Sequence, residues 1–279
     1  MTRFISILFL LTGISNLVNA QDSTIVYGDN AKAGHYADIR GFKMYYEEYG
    51  KGAPLLMIHG LFGSIGDFSA QIPYFSKKYH VIVADNRSHG KSTDNSDSLS
   101  PEQMADDLNA LLNTLQIDSC YVIGWSVGGD NGLLLAIRHP EKVKKLAVTG
   151  ALLKWDTNAI DRVVYCTIKH NIDTLLRLHK KSADNSHTLK LSSSVLNIRI
   201  NIKLLHSIKC PTLVIAGDHD IIRNQHSVLI EENIAESYLW LIPNSGHGTP
   251  AFYPDDFNKN VETFFEKPYR KISGMSRFE

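Results

Sequence analysis

Neither sign of charge dominates this sequence: Lys and Arg number 29 and Asp and Glu also 29, a formal net charge of zero with histidine neutral. A surface that holds nucleic acid needs an excess of cations, so no nucleic-acid partner is expected. Cysteine is scarce, with only Cys120, Cys166 and Cys210. A chain of 279 residues can bury enough apolar surface to fold without cross-links. Cys120 opens one apolar run and Cys210 precedes another, so both are expected as buried thiols acting as small hydrophobes; a Cys120–Cys210 bridge is the alternative. There is no internal repeat, no low-complexity tract and no HExxH pair, and past residue 20 no apolar run is long enough to cross a bilayer.

The first twenty residues differ from the rest. Arg3 supplies a positive start, and Phe4 to Leu11 is nearly all apolar. Thr12, Gly13, Ser15 and Asn16 cut the run short of a membrane span, and Val18-Asn19-Ala20 puts small residues before Gln21. Residues 1–20 therefore read as a cleaved secretory signal peptide, which leaves 21–279 as one exported domain, periplasmic or secreted. No cysteine stands near the junction to carry a lipid. Residues 21–34, small and polar, are expected to form a loose leader.

Tyr36 to Arg40 and Lys43 to Tyr49, separated at Gly41, suit an antiparallel pair. Short apolar runs follow: Leu55–Ile58, Val81–Ala84, Tyr121–Ile123, Leu146–Thr149, Thr212–Ala216 and Tyr238–Ile242. Runs of this length between amphipathic stretches suit strands buried on both faces, hence an α/β fold with a mostly parallel sheet flanked by helices. Ser100-Pro101-Glu102-Gln103 gives a helix start with a capping serine and a proline in the first turn, and Pro254 opens the last helix. Between about 154 and 206 the rhythm breaks into helical stretches alone, which reads as a helical cap inserted after the sixth strand. That segment holds nine Lys and Arg against four Asp. A solvated helix surface accounts for this excess, and attraction of an anionic substrate is the alternative.

Gly124-Trp125-Ser126-Val127-Gly128-Gly129 lies between an apolar run and a helix-compatible one. A serine there sits on a sharp strand-to-helix turn with its hydroxyl exposed at a helix start, where unpaired N–H groups can hold an oxyanion. A serine hydroxyl needs a base and an orienting acid. His247 follows the last apolar run between two glycines, and Asp220 follows the run Thr212–Ala216, so all three fall at the same sheet edge in the order Ser, Asp, His. His59-Gly60-Leu61-Phe62-Gly63 follows Leu55–Ile58 and precedes a predicted helix. The N–H groups of Leu61 and Val127 are the candidate oxyanion hole, with His59 expected to hold the loop rather than react. Gly90-Lys91-Ser92 mimics the end of a phosphate loop, but Asp85 stands where that motif needs glycine. Asp218-His219-Asp220 has no second histidine pair to make a metal site.

These motifs, with Asp85-Asn86-Arg87-Ser88-His89-Gly90-Lys91-Ser92 and the stretch from Pro211 to Asp220, resemble the α/β-hydrolase superfamily from about residue 36 to 267. The resemblance implies that the acid stands three positions after Gly217, which selects Asp220 over Asp218, with Asp156 a distant third. Ser88 departs from the glycine common at its place. Serine rather than aspartate at position 126 argues against haloalkane dehalogenases and epoxide hydrolases. It points to hydrolysis of a small acyl substrate, with the loop and elbow most similar to small-acyl carboxylesterases. C–C bond hydrolases and aminopeptidases of this fold are the alternative, and a receptor-like member with little turnover is a reading of another class. The mechanism so implied needs no metal or organic cofactor, and the sequence fixes no oligomeric state.

Overall fold

The computed structural model describes residues 25–94, 96, 98–179 and 186–278. The proposed signal peptide, residues 1–20, and Lys180, Lys181 and Asp184 of the expected cap lie outside them.

The first half of the chain gives strands β1 (Gly34–Ile39), β2 (Phe42–Tyr49) and β3 (Ala53–Ile58), short helix α1 (Ile72–Phe75), β4 (Tyr79–Ala84), α2 (Pro101–Thr114), β5 (Cys120–Trp125), α3 (Val127–Arg138) and β6 (Val143–Thr149). The second gives α4 (Arg162–His179), α5 (Ser186–Leu196), β7 (Thr212–Gly217), α6 (Asn224–Glu232), β8 (Ser237–Ile242), α7 (Thr249–Phe252) and α8 (Pro254–Glu266). The strands form one eight-stranded sheet in the order β1-β2-β4-β3-β5-β6-β7-β8. β1–β2 and β2–β4 pair antiparallel, and every later pairing is parallel. Parallel strands need crossovers, and the helices that supply them cover the sheet, so its central strands are buried on both faces. Leu55, Leu56, Met57 and Ile58 are accordingly all fully buried.

Local chemistry sets the element ends. The Ser100 hydroxyl accepts from the Gln103 N–H at 3.1 Å and caps α2, with Pro101 in its first turn. Cys120 and Cys210 are buried free thiols, so no bridge joins them, and Cys166 is an exposed free one.

Two expectations need correction. Residues 25–34 are not a loose leader. The carboxylate of Glu47, fully buried in β2, accepts from Gly28 N–H and Asn30 N–H, each at 2.9 Å, and from the hydroxyls of Tyr45 and Tyr49 at 2.8 and 2.7 Å. A buried carboxylate must be satisfied, and these donors satisfy it by fastening the segment to the sheet. The helix expected after Gly63 is only a 3-10 turn, Ile65–Phe68, followed by the four-residue α1.

The segment between β6 and β7 carries α4 and α5. An exposed helix is α4, with Ile172 its one buried described side chain, and it packs mainly on α5. The base of α5 is pinned to the loop after β4. Lys190 Nζ meets Asp94 at 2.6 Å, with those side chains only 11% and 4% exposed. His187 Nε2 meets the Ser88 carbonyl at 2.8 Å. Asp94 also receives Arg87, which grips Asp107 of α2 with two bonds of 2.6 and 2.8 Å. Ser88 has φ +63°, the left-handed region that glycine adopts without cost.

Candidate active site

Five strand ends converge at the carboxyl edge of the sheet, the place where open α/β sheets build their sites. β5 ends in Trp125, and Ser126 turns the chain directly into α3 with φ +56° and ψ −123°. This backbone conformation costs a non-glycine residue about 1–3 kcal/mol, so the surroundings must hold it. Ser126 N–H donates to the Thr149 carbonyl at 2.8 Å, and Ser126 O accepts from Gly129 N–H at 2.7 Å. Gly128 is required by close approach, because a Cβ there would run into the Ile58 carbonyl. The Ser126 side chain is left half-buried rather than enclosed.

His247, in the loop after β8, places Nε2 at 2.9 Å from Ser126 Oγ. Its Nδ1 lies 2.7 Å from Asp220 Oδ1, in the loop after β7. Asp220 is fully shielded and the His247 side chain only 13% exposed. The same Asp220 oxygen accepts from Ile222 N–H at 2.9 Å, which fixes the carboxylate. Burial disfavours the His247 imidazolium, but the charge of Asp220 and its hydrogen bond outweigh that, so the pKa is raised above the ordinary 6.5. Ser126, His247 and Asp220 thus form one hydrogen-bonded chain able to move a proton from hydroxyl to imidazole, the carboxylate stabilising the resulting charge.

The other acids have different work. Asp218 accepts from Ser245 N–H at 3.0 Å and faces His219 at 2.7 Å, staking down the loop that leads to His247. Asp156 pairs with Lys154 and accepts from Asn158 N–H, as a turn former.

The loop after β3 packs against the serine, since a Cβ on Gly60 would stand 3.2 Å from Ser126 Cβ. Among the described residues Leu61 N–H has no acceptor, and Val127 N–H is the first of α3, where no carbonyl one turn back is available. His59 behaves as a strut. Its ring is fully buried, with Nδ1 2.8 Å from the Gly60 carbonyl and Nε2 accepting from Asn86 N–H at 2.9 Å. Burial pushes its pKa down to about 4, which keeps the ring neutral.

Two positions escape sequence reasoning. Gly150, just past β6, has φ +63°, and a Cβ there would meet His247 Cε1 at 2.6 Å. Trp125 donates its indole N–H to the His247 carbonyl at 2.9 Å. A glycine directly after a buried strand was the available signal for the first; none existed for the second. Among the described residues no cluster of metal-ligating side chains occurs.

Residues 53–165 match the family model of the alpha/beta hydrolase fold. Human "Serine hydrolase BPHL" is 26% identical over 255 residues, covering 82% of this chain and 84% of that protein. Mouse "sn-1-specific diacylglycerol lipase ABHD11" is 25% identical over 267 residues, covering 82% and 87%. The solved structure of an N-acyl homoserine lactone degrading enzyme superposes with a TM-score of 0.69 at 25% identity, covering 82% of this chain and all of that one. The chain has the α/β-hydrolase fold.

Proposed function

We propose that this protein is a serine hydrolase that cleaves a small acyl substrate, a carboxylic ester before other classes, through an acyl-enzyme. Ser126 attacks the acyl carbonyl as His247 takes its proton, and Asp220 holds the imidazole tautomer and stabilises the imidazolium. The N–H groups of Leu61 and Val127 receive the oxyanion. His247 returns its proton to the leaving group, then activates the water that frees the acyl group. The observation that carries this reading is the continuous chain Ser126–His247–Asp220, with bonds of 2.9 and 2.7 Å. The same reading takes residues 1–20 as an export signal, so the mature enzyme would begin near Gln21.

Purified mature chain, assayed on short-chain p-nitrophenyl esters beside thioester, lactone and aminoacyl substrates, tests the proposal. Ser126→Ala is expected to lower kcat by roughly 10⁴-fold or more with the fold intact. A folded Ser126→Ala protein with near-parental turnover would overturn it. Ligand binding without Ser126-dependent turnover on any substrate would favour a receptor instead.

A further inference from the structure

His247 stands in a loop flanked by Gly246 and Gly248. Paired glycines leave a backbone much freedom, so a residue between them that must hold a fixed position needs an outside anchor. The imidazole is oriented at its two nitrogens by Asp220 and Ser126. Its main chain is held elsewhere. The indole Nε1–H of Trp125 donates to the His247 carbonyl at 2.9 Å, across 122 residues of sequence. Among the described residues no other group donates to that carbonyl. The indole is half-buried against the apolar layer on one face of the sheet, so its position is set by packing.

Trp125 is also the residue peptide-bonded to Ser126. The anchor of the base is therefore rooted in the turn that carries the hydroxyl, and a shift of the β5 end would move both reacting groups together. A misplacement of about 1 Å between such groups can cost 10²-fold in rate, so a bond that ties their backbones has catalytic consequence. We infer that Trp125 is a positioning residue, whose indole N–H ties the His247 backbone to the nucleophile turn and keeps Nε2 within reach of Ser126 Oγ. This inference rests on the proposed roles of Ser126 and His247.

The test uses the full mature chain with two replacements at position 125. Trp125→Phe removes the donor and part of the ring. Incorporation of 3-benzothienylalanine keeps the bicyclic shape and deletes only the N–H. Turnover is counted per active site by fluorophosphonate titration, and the His247 Nδ1 proton shared with Asp220 is followed by NMR at low field. Both replacements are expected to lower kcat about tenfold, the net worth of one hydrogen bond, with KM within about twofold of the parent. The low-field proton should shift or broaden.

If Trp125 only packs, the benzothienyl protein will match the parent in kcat per site and in its low-field signal, and the inference is wrong. Ser126→Ala separates this failure from failure of the functional reading. Turnover abolished by Ser126→Ala but unchanged by both replacements sinks the Trp125 role alone. Turnover retained in Ser126→Ala sinks the functional reading, and the low-field proton then decides whether the indole positions His247.

Discussion

Gly150 lies against the imidazole of His247: a Cβ added there would stand 2.6 Å from Cε1 and 2.8 Å from Nδ1. Gly41 offers a control, since it too has positive φ, at +88°, but a Cβ there meets nothing within 4 Å. Each Gly→Ala change carries a backbone cost on the order of 1 kcal/mol. Gly150→Ala is expected to lower kcat about 10²-fold by displacing the ring, whereas Gly41→Ala should lower Tm and leave kcat per folded molecule unchanged. Circular dichroism melts beside ester kinetics read both; equal kinetic effects would contradict the contact.

The two acids after β7 should separate cleanly. Asp220→Asn keeps the shape but removes the charge that faces Nδ1, and kcat is expected to fall by about 10⁴-fold. Asp218→Asn weakens the anchor at Ser245 N–H, and a loss of about tenfold or less is expected. Steady-state kinetics on one ester decide the matter, and comparable losses would displace Asp220 from its role.

In the proposed mechanism His247 is a neutral base, so kcat/KM should rise with pH through its raised pKa, above 6.5. In Asp220→Asn the group that raises the value is gone, so the residual activity should rise at lower pH than in the parent. Profiles from about pH 5 to 9 test this. A limb that stays in place or moves upward would show that Asp220 does not set the imidazole's charge.

Acid should destabilise the fold through three other histidines. Burial holds His59 and His226 at about 4 and His89 at about 3, against an ordinary 6.5. Between those values the unfolded chain binds protons that the folded chain refuses. Stability is therefore fully present above about pH 6.5 and lost as pH falls, by up to about 1.4 kcal/mol per unit for each ring. His247, with a raised value, acts in the opposite sense: its contribution is present at low pH and lost as pH rises through the folded pKa. Asp67, which burial pushes up to about 6, and Asp130, also raised by burial, act in that sense too. The share of one ring is therefore read by difference: His226→Gln should shrink the part of the Tm change between about pH 7 and 5 that comes from proton refusal. A His226→Gln protein with the parent's Tm difference over that range would mean that the ring is already protonated in the folded protein.

Much of this architecture was legible because it is written in short-range pattern. Six apolar runs became β3 to β8, since strands buried on both faces need unbroken hydrophobic stretches. The meeting of Ser126, Asp220 and His247 could be read because each lies just past such a strand, and parallel strands share one carboxyl edge. What escaped notice depends on distance across the fold. Glu47 alternates like any strand residue, and nothing near it in sequence announces that Gly28 and Asn30 will donate to it. The reach of Trp125 to the His247 carbonyl, and the closeness of Gly150 to the ring, exist only once β5, β6 and β8 are side by side. The helix expected after Gly63 was shortened by a 3-10 turn that ends before Gln71, whose amide is committed to the Pro250 carbonyl and to Asn258 of α8.

The segment between β6 and β7 is moored unevenly. Its inner helix is fastened to the loop after β4 by Lys190 and His187, while the outer one, α4, leans on that inner helix. The start of α4 is tied to the loop after β7 as well, since Asp161 N–H donates to the Ile221 carbonyl at 2.9 Å. A disturbance at that helix start therefore has a short route to Asp220, whose carboxylate holds the Ile222 N–H at 2.9 Å.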